Sequence, residues 1–446
     1  MKKSIYIVYY FCLKQINDPL FKNSIYILSS YMLNAAFGFF FWIVAAKKYV
    51  PLEVGTATAL LSSMNLLIQL SRLGLDTSMI RFFPEWNKNI VFNTSVIVTS
   101  FSALIMGSLY IFWIDIFSPE LKLLKSITMA SIFLFCLLTN SLATLLGTSF
   151  VALRKAGHQF TQNIILCSRV IFLILFVSLG SVGIFSSYGF SSLLAIIISI
   201  ILITKSEIEF KLNIDASYLR KSLEFSIPNY FVNLFILTPA TILPIIVYNK
   251  LGSQQAAYYY ICYTLVSLLY MIPNSISTSL FVEGSNGEKL KTSIIKSMCG
   301  LLLFLVPATL IMYLFPNFLL GLIGADYSKN GENLLRIMSI SSIFVSINYI
   351  YYSIERIRNN PKRIFIVSLF VFVLLLGLSR IFIQWYGLVG IGYAWFSSYF
   401  IGCIFIIGCC LKEVSISAYL HRYNNLHMKI KALILFLKQT LENYIE

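Results

Sequence analysis

Charge is scarce in this chain. Asp, Glu, Lys and Arg make up 12% of its 446 residues, against about a quarter in soluble domains. Acid is scarcer still, with 18 Asp and Glu beside 34 Lys and Arg. Histidine is nearly missing: His158, His421 and His427 are scattered and make no cluster. The eight cysteines lie mostly inside apolar runs, as Cys136, Cys167, Cys262 and Cys403 do, and none forms Cys-x-x-Cys with histidine partners. Neither a disulfide framework nor a metal site is expected, and no cofactor.

What fills the chain instead is apolar sequence, 58% hydrophobic, in blocks of the roughly 20 residues that cross about 30 Å of hydrocarbon. Twelve such blocks fall near 25–46, 54–80, 91–114, 126–150, 162–180, 183–204, 223–248, 256–281, 293–315, 333–353, 362–383 and 387–411. The expectation is an all-α polytopic membrane protein. The formal charge of +16 raises the question of nucleic acid. The basic residues sit between apolar blocks, however, so membrane topology explains them and no nucleic-acid partner is expected.

Counted on alternate sides of the membrane, 24 basic residues fall on one side and six on the other, while Arg72, Arg169, Arg336 and Arg380 remain within spans. The positive-inside rule then puts both termini in the cytoplasm of a plasma-membrane protein. The opening "KKSIYIVYYFCLK" resembles a short signal peptide but lacks a small-residue cleavage site. It is expected as a retained, amphipathic interfacial segment, 1–24.

The halves look related. "AAKKYVPLEVGTATALL" and "IVYNKLGSQQAAYYYICYTL" align at an offset of 202, which also carries Arg154 onto Arg356. Six spans apart means a parallel repeat about an axis along the membrane normal. The expected organisation is a bundle over 25–204, a cytoplasmic linker over 205–222, a second bundle over 223–411 and a tail over 412–446. The two six-helix pseudo-symmetric bundles would surround a central cavity. The tail either lies at the interface as an amphipathic helix or adds a membrane segment.

In the second span Thr58, Ser62, Asn65, Gln69, Arg72 and Asp76 recur at helical spacing, opposite Leu60, Leu61, Leu67, Leu70 and Leu75. A charge at the bilayer centre costs about 2.5–3.5 kcal/mol even on the lenient insertion scale. Such a stripe is expected to line a protein interface or a wet cavity, with Arg72 and Asp76 paired one turn apart. Arg81, at the membrane surface, either joins that path or snorkels. The same choice stands for Arg169, two turns into the fifth span, whereas Arg336 and Arg380 read as snorkelling. Shifted by 202, the stripe becomes Tyr260, Thr264, Ser267, Met271, Asn274 and Thr278, mostly polar and none charged. Asn274 thus takes the place of Arg72.

Twelve spans in two halves, "RLGLDTSMIRFFPE" ending the second span and "ALRKAGHQFTQN" after the fourth resemble Wzx-like oligosaccharide flippases. These belong to the multidrug/oligosaccharidyl-lipid/polysaccharide exporter superfamily, with the MATE drug exporters and the peptidoglycan-precursor flippase MurJ. The resemblance implies a polyprenyl-diphosphate-linked glycan as partner within the lipid bilayer. It implies cavity arginines, here Arg72, Arg81 and Arg169, meeting the diphosphate, and a monomer working beside other polysaccharide assembly proteins. A drug exporter of the same fold would favour acidic cavity residues, and Asp76 is the one clear intramembrane acid. An envelope polymerase or glycosyltransferase needs external carboxylates. The largest loop on the sparsely charged side, 316–332, offers only Asp326 and Glu332. A transporter rather than an enzyme is expected.

Overall fold

The computed structural model describes residues 19–205, 208–211, 213–285, 290–358 and 360–409. Most of the expected N-terminal segment, the tail over 412–446, and Ser206, Glu207 and Leu212 of the linker lie outside the described residues. The described residues are helical, with no strand among them. Eleven helices are long and apolar enough to cross a membrane, and the 30-residue helix Pro19–Lys48 precedes them as the first of twelve spans. Helices are what hydrocarbon demands, since each satisfies its own backbone hydrogen bonds.

The second span is Pro51–Ser71, extended by a short helix Leu75–Phe82. The third to sixth are Lys88–Phe112, Ile127–Ala152, Ala156–Leu175 and Val177–Thr204. The seventh is Ala216–Leu251 and the eighth Ser253–Ser285. Leu290–Leu314, Ala325–Ile357, Pro361–Tyr386 and Val389–Cys409 complete the set. The end where most lysines and arginines gather is called the basic end here, and the other the sparse end.

The internal repeat is visible in the backbone. The second and eighth spans open at Pro51 and Ser253, 202 residues apart. The sixth span passes from its opening 3-10 turn, Val177–Leu179, into its long helix at Gly180 (φ 56°, ψ −135°), and the eleventh and twelfth spans meet at Gly387 (φ 56°, ψ −134°). Three residues beyond each glycine sits another, Gly183 or Gly390. A Cβ there would lie 2.1 Å from the Phe176 carbonyl oxygen or 2.2 Å from that of Phe382. Both turns need glycine for the same two reasons, a left-handed backbone and a carbonyl too close for a side chain.

Several spans begin earlier than hydropathy suggests. The fifth opens at Ala156 instead of 162, through polar "AGHQFTQN". The seventh opens at Ala216 instead of 223 because Asp215 caps it, accepting from the Tyr218 amide at 2.8 Å. The Ser217 hydroxyl and then that amide hold the Asp215 carboxyl below its ordinary range. Apolar patterning marks only the stretch within hydrocarbon, whereas a cap extends the helix beyond it. In the ninth span a π-helical turn, Leu301–Leu305, precedes Pro307, the ring that cannot complete a regular helical bond.

At the sparse end the halves close on each other. The Ser253 hydroxyl donates to the Leu52 carbonyl and meets Thr56 Oγ1 at 3.0 Å, and Ser118 donates to Asn249 at 2.9 Å. At the basic end the seventh span packs into the N-terminal half. Fully buried Tyr218 has its hydroxyl 3.3 Å from that of Ser78 and 3.2 Å from that of Ser95, and Ser222 donates to Ser78. Further along, Phe235 packs edge-on against Phe365 and tilted against Phe372 of the eleventh span, with ring centres 5.5 and 5.3 Å away. The linker lies along the third span. Asn93 donates to the Glu209 carbonyl at 2.8 Å and accepts from the Lys211 amide at 3.2 Å.

Candidate functional site

The second span is not one straight helix. It stops at Ser71, and Leu73 (φ 50°) and Gly74 (φ 77°) turn left-handed before Leu75–Phe82 resumes. Gly74 is required twice over. Its φ suits glycine, and a Cβ would lie 2.7 Å from Ser226 Cβ on the seventh span. The continuous polar face expected from spacing is therefore interrupted at Arg72. The pair survives the break, with Arg72 Nη1 donating to Asp76 Oδ2 at 2.9 Å. Asp76 Oδ1 accepts from the Thr77 amide at 2.9 Å.

This kink opens a polar cavity of about 130 Å³ between the halves, walled by Gln69, Arg72, Asp76 and Thr77 on one side and Tyr230 and Asn233 on the other. Tyr230 ties the walls together by donating to the Leu70 carbonyl at 3.1 Å. Arg72 and Asp76 are 20% and 26% exposed in their side chains, so they meet the cavity rather than lipid. Arg72 Nε and Gln69 Oε1 are buried with no hydrogen-bond partner among the described residues. A guanidinium carries five donors in a planar fork that matches phosphate oxygens, and Asp76 occupies only part of it.

The other expected residues divide. Thr58 and Ser62 are buried in helix packing, so the sparse-end half of the stripe is sealed. Asn65 is half-buried and lines neither this cavity nor the one described next. Arg81 is 52% exposed in its side chain and bonds Glu85, at the basic end. Arg336 pairs with Glu332 at 2.7 Å.

Arg169 opens the second segment of the fifth span, Arg169–Leu175, after the turn at Cys167 and Ser168 that follows Ala156–Leu166. It lies beside Gly38, with its guanidinium carbon 5.1 Å from the ring centre of Tyr188 and 5.8 Å from that of Phe41. It has no carboxylate partner among the described residues, and its Nε is unpaired. Aromatic faces compensate a desolvated cation only in part.

Asn274 lines a different cavity, of about 210 Å³, inside the C-terminal half. Five spans wall it, the seventh, eighth, tenth, eleventh and twelfth, and Leu237 of the seventh borders both cavities. Its rings include Tyr263, Tyr270, Trp395 and Tyr399. Of these, Tyr263 and Tyr270 stand among the eighth-span tyrosines, but Trp395 and Tyr399 carried no signal in the sequence beyond being aromatic. A third cavity, of about 410 Å³, is apolar and lies between the second, third and seventh spans, with Leu66, Leu70, Met106 and Ile246 in its walls.

Comparison with known proteins settles the family. Residues 20–281, more than half of the chain, match the family described as polysaccharide biosynthesis protein. The chain belongs to that family. The chain also matches the MatE family over residues 230–381. No curated protein matches its sequence. Among solved structures it is similar to the lipid II flippase MurJ in an inward closed conformation, with 17% identity and a TM-score of 0.67, covering 87% of each chain. An inward-facing multidrug resistance MATE transporter of the MOP superfamily shares 13% identity at TM-score 0.64, covering 86% of this chain and 96% of the other. An outward-facing MATE transporter gives 14% and 0.61, covering 90% and 96%. Identities this low establish a shared fold, the two-lobed twelve-helix architecture of MOP-superfamily transporters.

Proposed function

We propose that this protein is a flippase that carries a polyprenyl-diphosphate-linked oligosaccharide from the cytoplasmic to the outer leaflet of the plasma membrane. The basic end, with both termini, then faces the cytoplasm. The observation that carries the reading is the Arg72 cavity, which holds a cation with unspent donors at the junction of two repeated halves. Diphosphate and sugar hydroxyls cannot enter hydrocarbon unpaired, since each polar group left bare costs several kcal/mol. The apolar cavity adjoins this one through the second and seventh spans, with Leu70 in its wall and the Leu70 carbonyl bonded to Tyr230. A polar cavity beside a greasy one suits an amphiphile. Arg72, Gln69 and Asp76 would receive the headgroup, with Arg169 a deeper cation and Arg81 at the entrance. Asn65 and Asn274 would lie further along the path.

Drug export is the competing reading, favoured by the MatE match over the C-terminal half. It calls for an acid free to bind a cation, and Asp76 is engaged by Arg72. Proteoliposomes loaded with a fluorescent polyprenyl-diphosphate glycan separate the two. Wild-type protein is expected to move the lipid between leaflets, and Arg72→Gln to do so at most about a tenth as fast, a loss of one hydrogen-bonded cation. Ethidium export with no lipid movement would replace the flippase reading by the exporter one.

A further inference from the structure

The cavity in the C-terminal half has an unusual lining. Aromatic rings dominate it, the remaining polar side chains are neutral, and none of its lining residues is Asp, Glu, Lys, Arg or His. The rings form a continuous bank. Trp395 and Tyr399 are parallel within 6°, their centres 5.3 Å apart, and Tyr270 and Tyr263 lie 5.7 and 6.1 Å from Trp395.

Two amides, Asn348 and Asn274, are among the lining residues. Asn348 is 1% exposed. Its Nδ2 donates to the Phe344 carbonyl at 3.0 Å, but its Oδ1 is buried without a hydrogen-bond partner. Asn274 is exposed at the cavity. A buried acceptor left bare is a cost that the fold bears unless something else supplies the hydrogen.

Each charged ligand class meets an objection here. A cationic drug would leave its charge uncompensated, because no acid lines the cavity. A diphosphate would lack a cation. A purely apolar tail would leave the exposed Asn274 amide nothing to bond. The space, about 210 Å³, is also below the roughly 300–1,000 Å³ of drug-sized sites. A neutral ring with an apolar face and hydroxyls at its edge answers every term: the face stacks on aromatic rings, and the hydroxyls both donate and accept.

We infer that this cavity holds a sugar ring of the transported glycan, while the phosphates sit across Leu237 at Arg72. The assignment rests on the lipid-linked glycan being the substrate. It divides one headgroup between the halves: charge is read on the N-terminal side and carbohydrate on the C-terminal side.

The test uses the full-length protein in nanodiscs and two probes, polyprenyl diphosphate and polyprenyl diphosphate bearing one N-acetylhexosamine. Wild-type protein is expected to bind the sugar-bearing probe about tenfold tighter than the bare one. Trp395→Ala and Asn274→Ala remove most of that advantage by weakening the sugar-bearing probe more than the bare one. Arg72→Gln weakens both. Asn274 is exposed, so its variant tests the site even where Trp395→Ala fails to fold. Equal wild-type affinity for the two probes overturns the sugar site, as do variants that weaken both probes alike or neither. Binding of neither probe by the wild type overturns the flippase reading itself, and the sugar site with it.

Discussion

A Cβ placed on Gly55 would lie 1.6 Å from the carbonyl oxygen of Ser253. The contact joins the first turns of the second and eighth spans, which are equivalent positions in the two repeats, and it closes the sparse end. Close packing of small residues is how membrane helices approach each other. Gly55→Leu should insert yet fail to seal that end. Transport is expected to fall at least about tenfold. A cysteine at Thr56, buried here, should become reactive to an impermeant maleimide only in the Gly55→Leu background. Full transport with unchanged labelling would remove the seal from the mechanism.

The kink at Gly74 gives a stability prediction. A side chain in its left-handed conformation costs about 1–2 kcal/mol, before the clash with Ser226. Gly74→Ala should lower the apparent melting temperature. Adding Ser226→Gly should recover the steric part and leave the conformational part. If Gly74→Ala melts with the wild type, the kink is not fixed by this residue.

Asn93 grips the linker by two backbone hydrogen bonds, each worth about 0.5–1.5 kcal/mol. Asn93→Ala should speed proteolytic nicking between Lys205 and Asp215 while leaving the transmembrane fragments intact. Cleavage at the wild-type rate would show that the linker is held elsewhere, for instance by Phe210 against Phe92, whose ring centres are 5.3 Å apart.

Arg169 separates a structural role from a working one. A partly buried cation without an acid partner destabilises its surroundings, so Arg169→Gln should melt no lower than the wild type and yet transport poorly. A large fall in melting temperature would instead make Arg169 a packing element held by Tyr188 and Phe41.

The twelve spans and the two-half organisation were legible because apolar blocks and basic loops act locally in sequence. The 202-residue offset was legible too, and the helix starts at Pro51 and Ser253 bear it out. The break after Ser71 was not, since "LSRLGLD" keeps an apolar rhythm across it; Gly74 before a Leu-Asp pair was the only local hint. The aromatic cavity was hidden for another reason. Its walls come from five spans, and Trp395 meets Tyr263 only after the chain has folded back on itself.

The seventh span has a mechanical consequence. Its opening turns, through Tyr218 and Ser222, are clasped by the N-terminal half, while Phe235 is lodged against the eleventh span. The two blocks therefore share a beam rather than a slack tether. Any swing of one against the other must flex that beam between Ser226 and Phe235 or tear one of its grips, and the wall of the Arg72 cavity at Tyr230 and Asn233 is cut from that same stretch.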